Sequence, residues 1–135
     1  MARRSLSWAA ALRDLKDDRA TRREIREERL RVPATSGFPM SGWRGQSGRR
    51  YVVNIQPLAV DSFGGQWDAV VIAVRRDDQH NAHIIDVAGN IGIGRALDWV
   101  CEARRAGATE MHIYRLAETV KERVDMVRDL TAEAA

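Results

Sequence analysis

Few of this chain's side chains could do chemistry, and they are scattered. Asp77-Asp78-Gln79-His80-Asn81 and His83 put two carboxylates and two imidazoles on a short stretch. Those residue types can hold a divalent metal. On extended backbone, however, His80 and His83 point to opposite faces, which hinders joint ligation. No third ligand stands beside them, since His112 belongs to a later strand. The stretch reads as a solvated turn, and no metal is expected. Gly89-Asn90-Ile91-Gly92-Ile93-Gly94-Arg95 follows a strand and opens a helix, where backbone amides can cradle phosphate. Its glycine order is neither the dinucleotide fingerprint nor the nucleoside-triphosphate loop. It reads as a tight corner, and no cofactor is expected. Cys101, the single cysteine, lies on an apolar helix side without a neighbouring base and reads as a small buried hydrophobe. Asp125 and Asp129 stand one helical turn apart on an exposed face, with no His or glycine loop beside them.

A second kind of chemistry is suggested by Trp43-Arg44-Gly45-Gln46-Ser47-Gly48-Arg49-Arg50-Tyr51. Aromatics interleaved with arginines can grip single-stranded nucleic acid by stacking and phosphate contact. The simpler reading is a turn entering a strand. Arg22, Arg23 and Arg26 lie upstream in a basic stretch. Together with Trp43, Arg44, Arg49, Arg50 and Tyr51 they form the candidate contact set for a partner.

Charge is unevenly distributed over the 135 residues. Residues 1–31 carry 10 basic and 6 acidic side chains, residues 32–66 carry 3 and 1, and residues 67–135 carry 9 and 12. Any polyanion would therefore meet the front half. Arginine outnumbers lysine 20 to 2. A biased codon composition gives the same excess as selection for phosphate-binding forks. No apolar run approaches the ~20 residues needed to cross a bilayer. The apolar patch from Trp8 to Leu12 is too short for a secretory signal. One cysteine fits a reducing cytoplasm, so the expectation is a cytoplasmic protein without membrane association.

The elements that must position these residues follow from pattern. Ser5 to Arg31 lacks Gly and Pro and is rich in Ala, Leu, Arg and Glu, so residues 1–31 are expected to form a basic helical or mobile arm. Residues 32–48 read as a Gly/Pro-containing linker, with Phe38, Met40 and Trp43 pinning it down. Strands are predicted at Arg50 to Leu58, Asp68 to Arg76, Ala82 to Val87 and Glu110 to Leu116. The continuous apolar run of the second suits burial on both faces. Helices are predicted from Ile93 to Ala106, with Gly107 as C-cap, and from Glu118 to Ala132. The expected fold class is α+β: one domain, residues 49–132, with a four-stranded, mainly antiparallel sheet and two packed helices. Trp67, Trp99, Ile72, Val74, Ile85, Leu97, Ile113, Val124 and Val127 should contribute to its core. Val120, Val124, Val127 and Leu130 should form the buried stripe of the last helix.

The order hairpin, glycine corner, helix, strand, helix resembles the core of the GIY-YIG endonucleases over about half the chain. Val70 to Val74 would stand for that family's first strand and Ile84-Ile85-Asp86-Val87-Ala88-Gly89 for its second. Asn90 and Arg95 resemble the asparagine and arginine leading into the first helix. Neither family tyrosine is present. Val127 stands about where the metal-binding glutamate belongs, with Glu122 and Asp125 not far off. The resemblance implies a metal-dependent endonuclease using Arg95 with Glu122 or Asp125. One arginine alone cannot bind a metal and activate water. The leading expectation is instead a non-catalytic accessory or regulatory module. It would bind a protein or a nucleic acid through its basic front half, with self-association through the N-terminal helix or the Phe38 to Trp43 patch.

Overall fold

A computed structural model describes residues 24–28, 30 and 39–131 of the chain. Its elements are β1 (Arg26–Glu28), β2 (Met40–Arg44), β3 (Arg50–Pro57), a short 3-10 helix (Val60–Phe63), β4 (Val70–Arg76), β5 (Ala82–Gly89), α1 (Ile93–Arg105), β6 (Glu110–Tyr114) and α2 (Val120–Leu130). All six strands pair antiparallel, in the order β1-β2-β3-β6-β4-β5. The sheet curls into a half-barrel. The fold is α+β as expected, but the four-stranded sheet is corrected to six strands.

Both additional strands lie where local sequence argues against a strand. Arg26-Glu27-Glu28 falls in the segment read as a helical arm. Its helix propensity, worth only tenths of a kcal/mol per residue, is overridden by tertiary ion pairs. Glu28 accepts from Arg44 at 2.8 Å on β2, and Glu27 accepts from Arg76 at 2.6 Å on β4. Met40-Ser-Gly-Trp-Arg falls in the segment read as a linker. It pairs with β3 along its whole length, from Met40↔Asn54 to Arg44↔Arg50. The sheet thus takes in strands that precede residue 49. The rest of the arm and linker, residues 1–23, 29 and 31–38 with Arg22, Arg23 and Phe38, lies outside the described residues.

Strand β4 is buried on both faces, as its unbroken apolar run predicts. Val71 and Ala73 face a cluster with Met111 and Ile113 of β6, Phe63, and Ala96, Val100 and Ala103 of α1. Val70, Ile72 and Val74 face the hollow of the curl, with Trp43, Tyr51, Val53, Tyr114, and Met126 and Leu130 of α2. The two helices therefore serve opposite faces of the same strands. A bulge where β5 passes Ala73/Val74 leaves Ile85 unpaired in the ladder. Ile84 keeps facing the hollow, whereas Ile85 packs against the α1 side. Asp86 also reaches α1, accepting from Trp99 Nε1 at 2.7 Å. Bulges redirect side chains in this way.

The expected core holds in part. Ile72, Val74 and Ile113 are buried, and Trp67, Trp99, Ile85 and Val127 pack at its margin. Leu97, Val120 and Val124 do not belong to it: they are 62%, 58% and 40% exposed. Leu130 of the expected stripe is buried; beside it Arg123 and Met126 bury α2, and Ala96, Val100 and Ala103 bury α1. Each helix is rotated so that small or long thin side chains face the sheet. Cys101 is half-buried rather than enclosed. Among the described residues no helix is long and apolar enough to cross a membrane.

The Gly107 cap is present. Ala108 N–H donates to Ala103 O at 2.9 Å and Gly107 N–H to Arg104 O at 3.0 Å, with Gly107 at φ +104°. A side chain at that φ is strained. Gly107→Ala is expected to lower stability by about 1–2 kcal/mol, read as a lower urea midpoint with an unchanged m-value.

Candidate binding cleft and buried polar chain

A chain of polar side chains runs through the hollow of the curled sheet. Alternation along β6 sends Glu110 and His112 to one face and Met111 to the other, and Arg76 at the end of β4 joins them. Trp43 Nε1–H donates to His112 Nδ1 at 2.8 Å. His112 Nε2 lies 2.6 Å from Glu110 Oε2. Arg76 donates to Glu110 Oε2 at 2.7 Å and to Glu27 at 2.6 and 3.1 Å. Ser41 Oγ donates to Glu27 Oε2 at 2.9 Å. Trp43 and Ser41 are 1% exposed and His112 is 0% exposed.

The chemistry of the donors assigns the histidine's proton. An indole N–H can only donate, so Nδ1 accepts and the hydrogen sits on Nε2, aimed at Glu110. The hydrogen bond from His112 holds the Glu110 carboxyl down to about 2, helped by Arg76 and against burial. Burial acts to raise Glu27, but hydrogen bonds from Arg76 and Ser41 outweigh it and the carboxyl is lowered. Arg76 is raised, chiefly by its bonds to Glu27 and then to Glu110. Donors and acceptors here satisfy one another, so the chain ties β1, β2, β4 and β6 together. Its outer end, Glu27, lines a cavity of about 400 Å³ with Glu24, Arg26, His80 and His83. Sequence reading missed it, although the E-x-H spacing on one face of β6 was a visible signal.

An open cleft lies at the turn between β2 and β3, beside the C-terminal half of α2. Gln46, Ser47, Arg49, Tyr51, Asp125, Arg128 and Asp129 line a cleft of about 470 Å³. Asp129 organises it. Its carboxylate accepts from Ser47 N–H at 2.7 Å, Ser47 Oγ at 2.6 Å and Tyr51 Oη at 2.8 Å. Its main-chain oxygen accepts from Gln46 N–H at 2.9 Å. Gly45 makes room for this: a Cβ there would collide with the Asp129 carboxylate. Burial and the bond to Asp129 raise the Tyr51 hydroxyl well above its ordinary value, so it stays protonated. The Arg49 guanidinium lies 5.2 Å above the Tyr51 ring, within cation–π range. Asp125 is held by Lys121 at 2.8 Å, which lowers its carboxyl. Arg49 and Arg128 form no ion pair among the described residues.

The candidate contact residues separate accordingly. Arg49 and Tyr51 come together in the cleft. Trp43 is sealed in the hollow and cannot stack on a base, so no bare Phe38 to Trp43 patch exists at its tryptophan end. Arg44 is spent on Glu28 and on Gly48 O. Arg26 and Arg50 stand on the same Glu28, at 3.3 and 3.8 Å. Of the nuclease-like set, Asp125 lies in the cleft and Arg95 is exposed on α1, outside it. The Glu122 carboxylate accepts from the Glu118 N–H at the start of α2. No hydrogen bond or ion pair joins these three among the described residues. His83 Nε2 sits 2.8 Å from Asp77, which it holds down to about 2, while His80 occupies the turn at φ +66°. No group of three potential metal ligands occurs among the described residues.

Removing the central cation leaves two carboxylates unpaired in a poorly hydrated place. Arg76→Met is expected to cost about 3–5 kcal/mol, read by urea denaturation at neutral pH. The acid response has a definite sign. Carboxyls lowered in the folded state contribute stability that is complete above their unfolded values near ~4.3 and is lost as pH falls through the folded ones. Glu27 and Glu110 therefore predict a fall in unfolding midpoint from about pH 4.5 down to about 2. The fall should be shallower in Glu110→Gln. Comparison with family models, with curated proteins and with solved structures returned no match for this chain.

Proposed function

We propose that this chain is a small non-catalytic interaction module that meets its partner at the cleft between the β2–β3 turn and α2. The observation that carries the reading is the pair Arg49 and Arg128. They are the cleft's cations without an ion pair among the described residues, while Asp129, Asp125 and Tyr51 are all engaged. Two guanidinium groups, one seated on an aromatic face, offer forked donors to a carboxylate or phosphate. The basic stretch 1–23, with 7 Arg/Lys against 3 Asp/Glu, adds charge of the same sign. An acidic protein surface is the favoured partner, because the mildly acidic back half would repel an extended polyanion outside this face. Nucleic acid is the alternative outcome of the test.

Charged groups of the hollow support a structural role for the interior. Arg76 joins both carboxylates, and each of these groups is engaged by a neighbour. A deletion test must respect the first strand. Removing residues 1–31 would take Glu27 and Glu28 with it, whereas removing residues 1–23 spares both.

The test is affinity capture from native lysate on immobilised full-length chain, with and without nuclease. Comparison is made with Arg49→Glu/Arg128→Glu and with the chain lacking residues 1–23. Capture that resists nuclease and falls at least ~10-fold on double charge reversal, about 1.4 kcal/mol, is expected. Capture abolished by nuclease, with affinity falling steeply against salt, assigns nucleic acid instead. Undiminished capture by the double variant overturns the reading.

A further inference from the structure

We infer that the free edge of β5 takes up an extended peptide segment of a partner protein as an added strand, apolar at alternate positions and basic at its ends. Strand β5 pairs only with β4, and β1, at the other edge of the sheet, pairs only with β2. Half of the backbone N–H and C=O groups of such an edge point away from the sheet and form a template for one more strand. Among the described residues, no backbone hydrogen bond from outside the β4 ladder reaches Ala82 to Gly89.

The curl of the sheet leaves a trough beside that edge. The two edges converge where Arg76, opposite Ala82 in the β4–β5 ladder, donates to Glu27 of β1. A cavity of about 390 Å³ runs along Ala82 to Val87, between Ile25 before β1 and Leu130 and Thr131 at the end of α2. The cavity of about 400 Å³ at Glu27 adjoins it, since Ile25, Ala82 and His83 line both. Ile25, Ile84, Val87 and Leu130 belong to the apolar cluster of the hollow or pack against it. They give the trough an apolar floor. Yet of the eight residues of β5 only Val87 is fully buried, and Ile84 and Ile85 stay half-buried. An added strand would send every second side chain onto that floor. Main-chain bonds then supply affinity, and the side chains that alternate with them supply selectivity.

Charge sets the ends of the peptide. Glu24, Glu27 and Asp86 line the trough, against one lining guanidinium, Arg26, among the described residues. Arg26 stands on Glu28 at 3.3 Å, and Glu27 shares Arg76 with Glu110. Glu24 and Asp86 form no ion pair among the described residues. His83 is taken up by Asp77 at 2.8 Å. Lysine or arginine at the ends of the incoming strand complements these carboxylates. A second copy of the chain would set the same acidic edge against itself, so another protein is the occupant. No residue lines both this trough and the Arg49–Arg128 cleft, so the two sites stand or fall separately.

The probe is a synthetic peptide of eight residues, the length of β5, with valine and threonine alternating between a lysine at each end. Fluorescence anisotropy of the labelled peptide against the full chain reads binding, and amide hydrogen exchange followed by NMR reads its place. Binding with Kd below about 0.1 mM is expected. It should weaken at least ~10-fold when glutamates replace both lysines, and likewise in Glu24→Lys, a change at an exposed position. Bound peptide should slow exchange at alternate amides of Ala82 to Val87 at least ~10-fold. N-methylation of one alternate set of peptide amides should abolish binding, and of the other set should leave it intact. No binding up to about 1 mM overturns the inference. So does binding indifferent to either N-methylated set, which is apolar adhesion and not strand addition. Slow exchange at the outward amides of β5 in the peptide-free chain overturns it too, because that edge is then already covered by the chain itself or by a second copy.

Discussion

The ion pairs of Arg76 with Glu27 and Glu110 are the constraint on which the rest of the curled sheet depends. Strand β1 stands at one edge of the sheet and β4 next to the other edge. They share no ladder, yet their side chains meet at 2.6 Å. Only a sheet bent back on itself brings those strands within reach. Once Arg76 lies in the hollow, desolvation makes any missing partner expensive, so Glu27, Glu110 and the donors behind them must all be in place. The same requirement fixes the register of β1. A slip of one residue would turn Glu27 outward and aim Glu28 inward, away from Arg44.

Around that polar chain the packing follows from strands with two apolar faces. Strands β4 and β6 separate two clusters, one closed by α1 and the 3-10 helix, the other by α2 and the curl itself. His112, at the middle of β6, shows how closely the two kinds of order are joined. Its neighbours Met111 and Ile113 belong to the α1 side, while its own ring is held between an indole and a carboxylate. A single strand thus supplies apolar contacts to one side and a hydrogen-bond relay to the other.

The surface divides in a similar way. At the β2–β3 turn, Asp129 spends both carboxylate oxygens on Ser47 and Tyr51. The turn is thereby pinned to α2, and Arg49 and Arg128 are left pointing into an open cleft. At the opposite end of α2, Arg123 donates to Asn90 and Ala117, and Val120 and Val124 stay uncovered. Both faces are products of one short helix whose buried side is crowded by Arg123, Met126 and Leu130. Valines that could have packed inward are displaced toward solvent.

Much of the back half was legible from residue order. The β4–β5 hairpin, α1 with its Gly107 cap, β6 and α2 all stand within a few residues of where periodicity and turn chemistry put them, because those signals act over distances shorter than the element itself. That Asp125 lies on an exposed helix face and Arg49 in a turn entering a strand was also readable, but their sharing of one cleft was not. Nor were β1 and β2: three charged residues and a Gly-containing pentapeptide have no intrinsic wish to be strands. Amino-acid sequence by itself determined which segments could be helix or strand and which charges the chain would carry. Tertiary structure alone decided that Arg26–Glu28 is a strand, that Trp43 is sealed inside, and that Leu97, Val120 and Val124 stay outside. The first two are set by partners 16 to 69 residues away, Arg44 for Glu28 and His112 for Trp43, and no local pattern encodes a partner at that range.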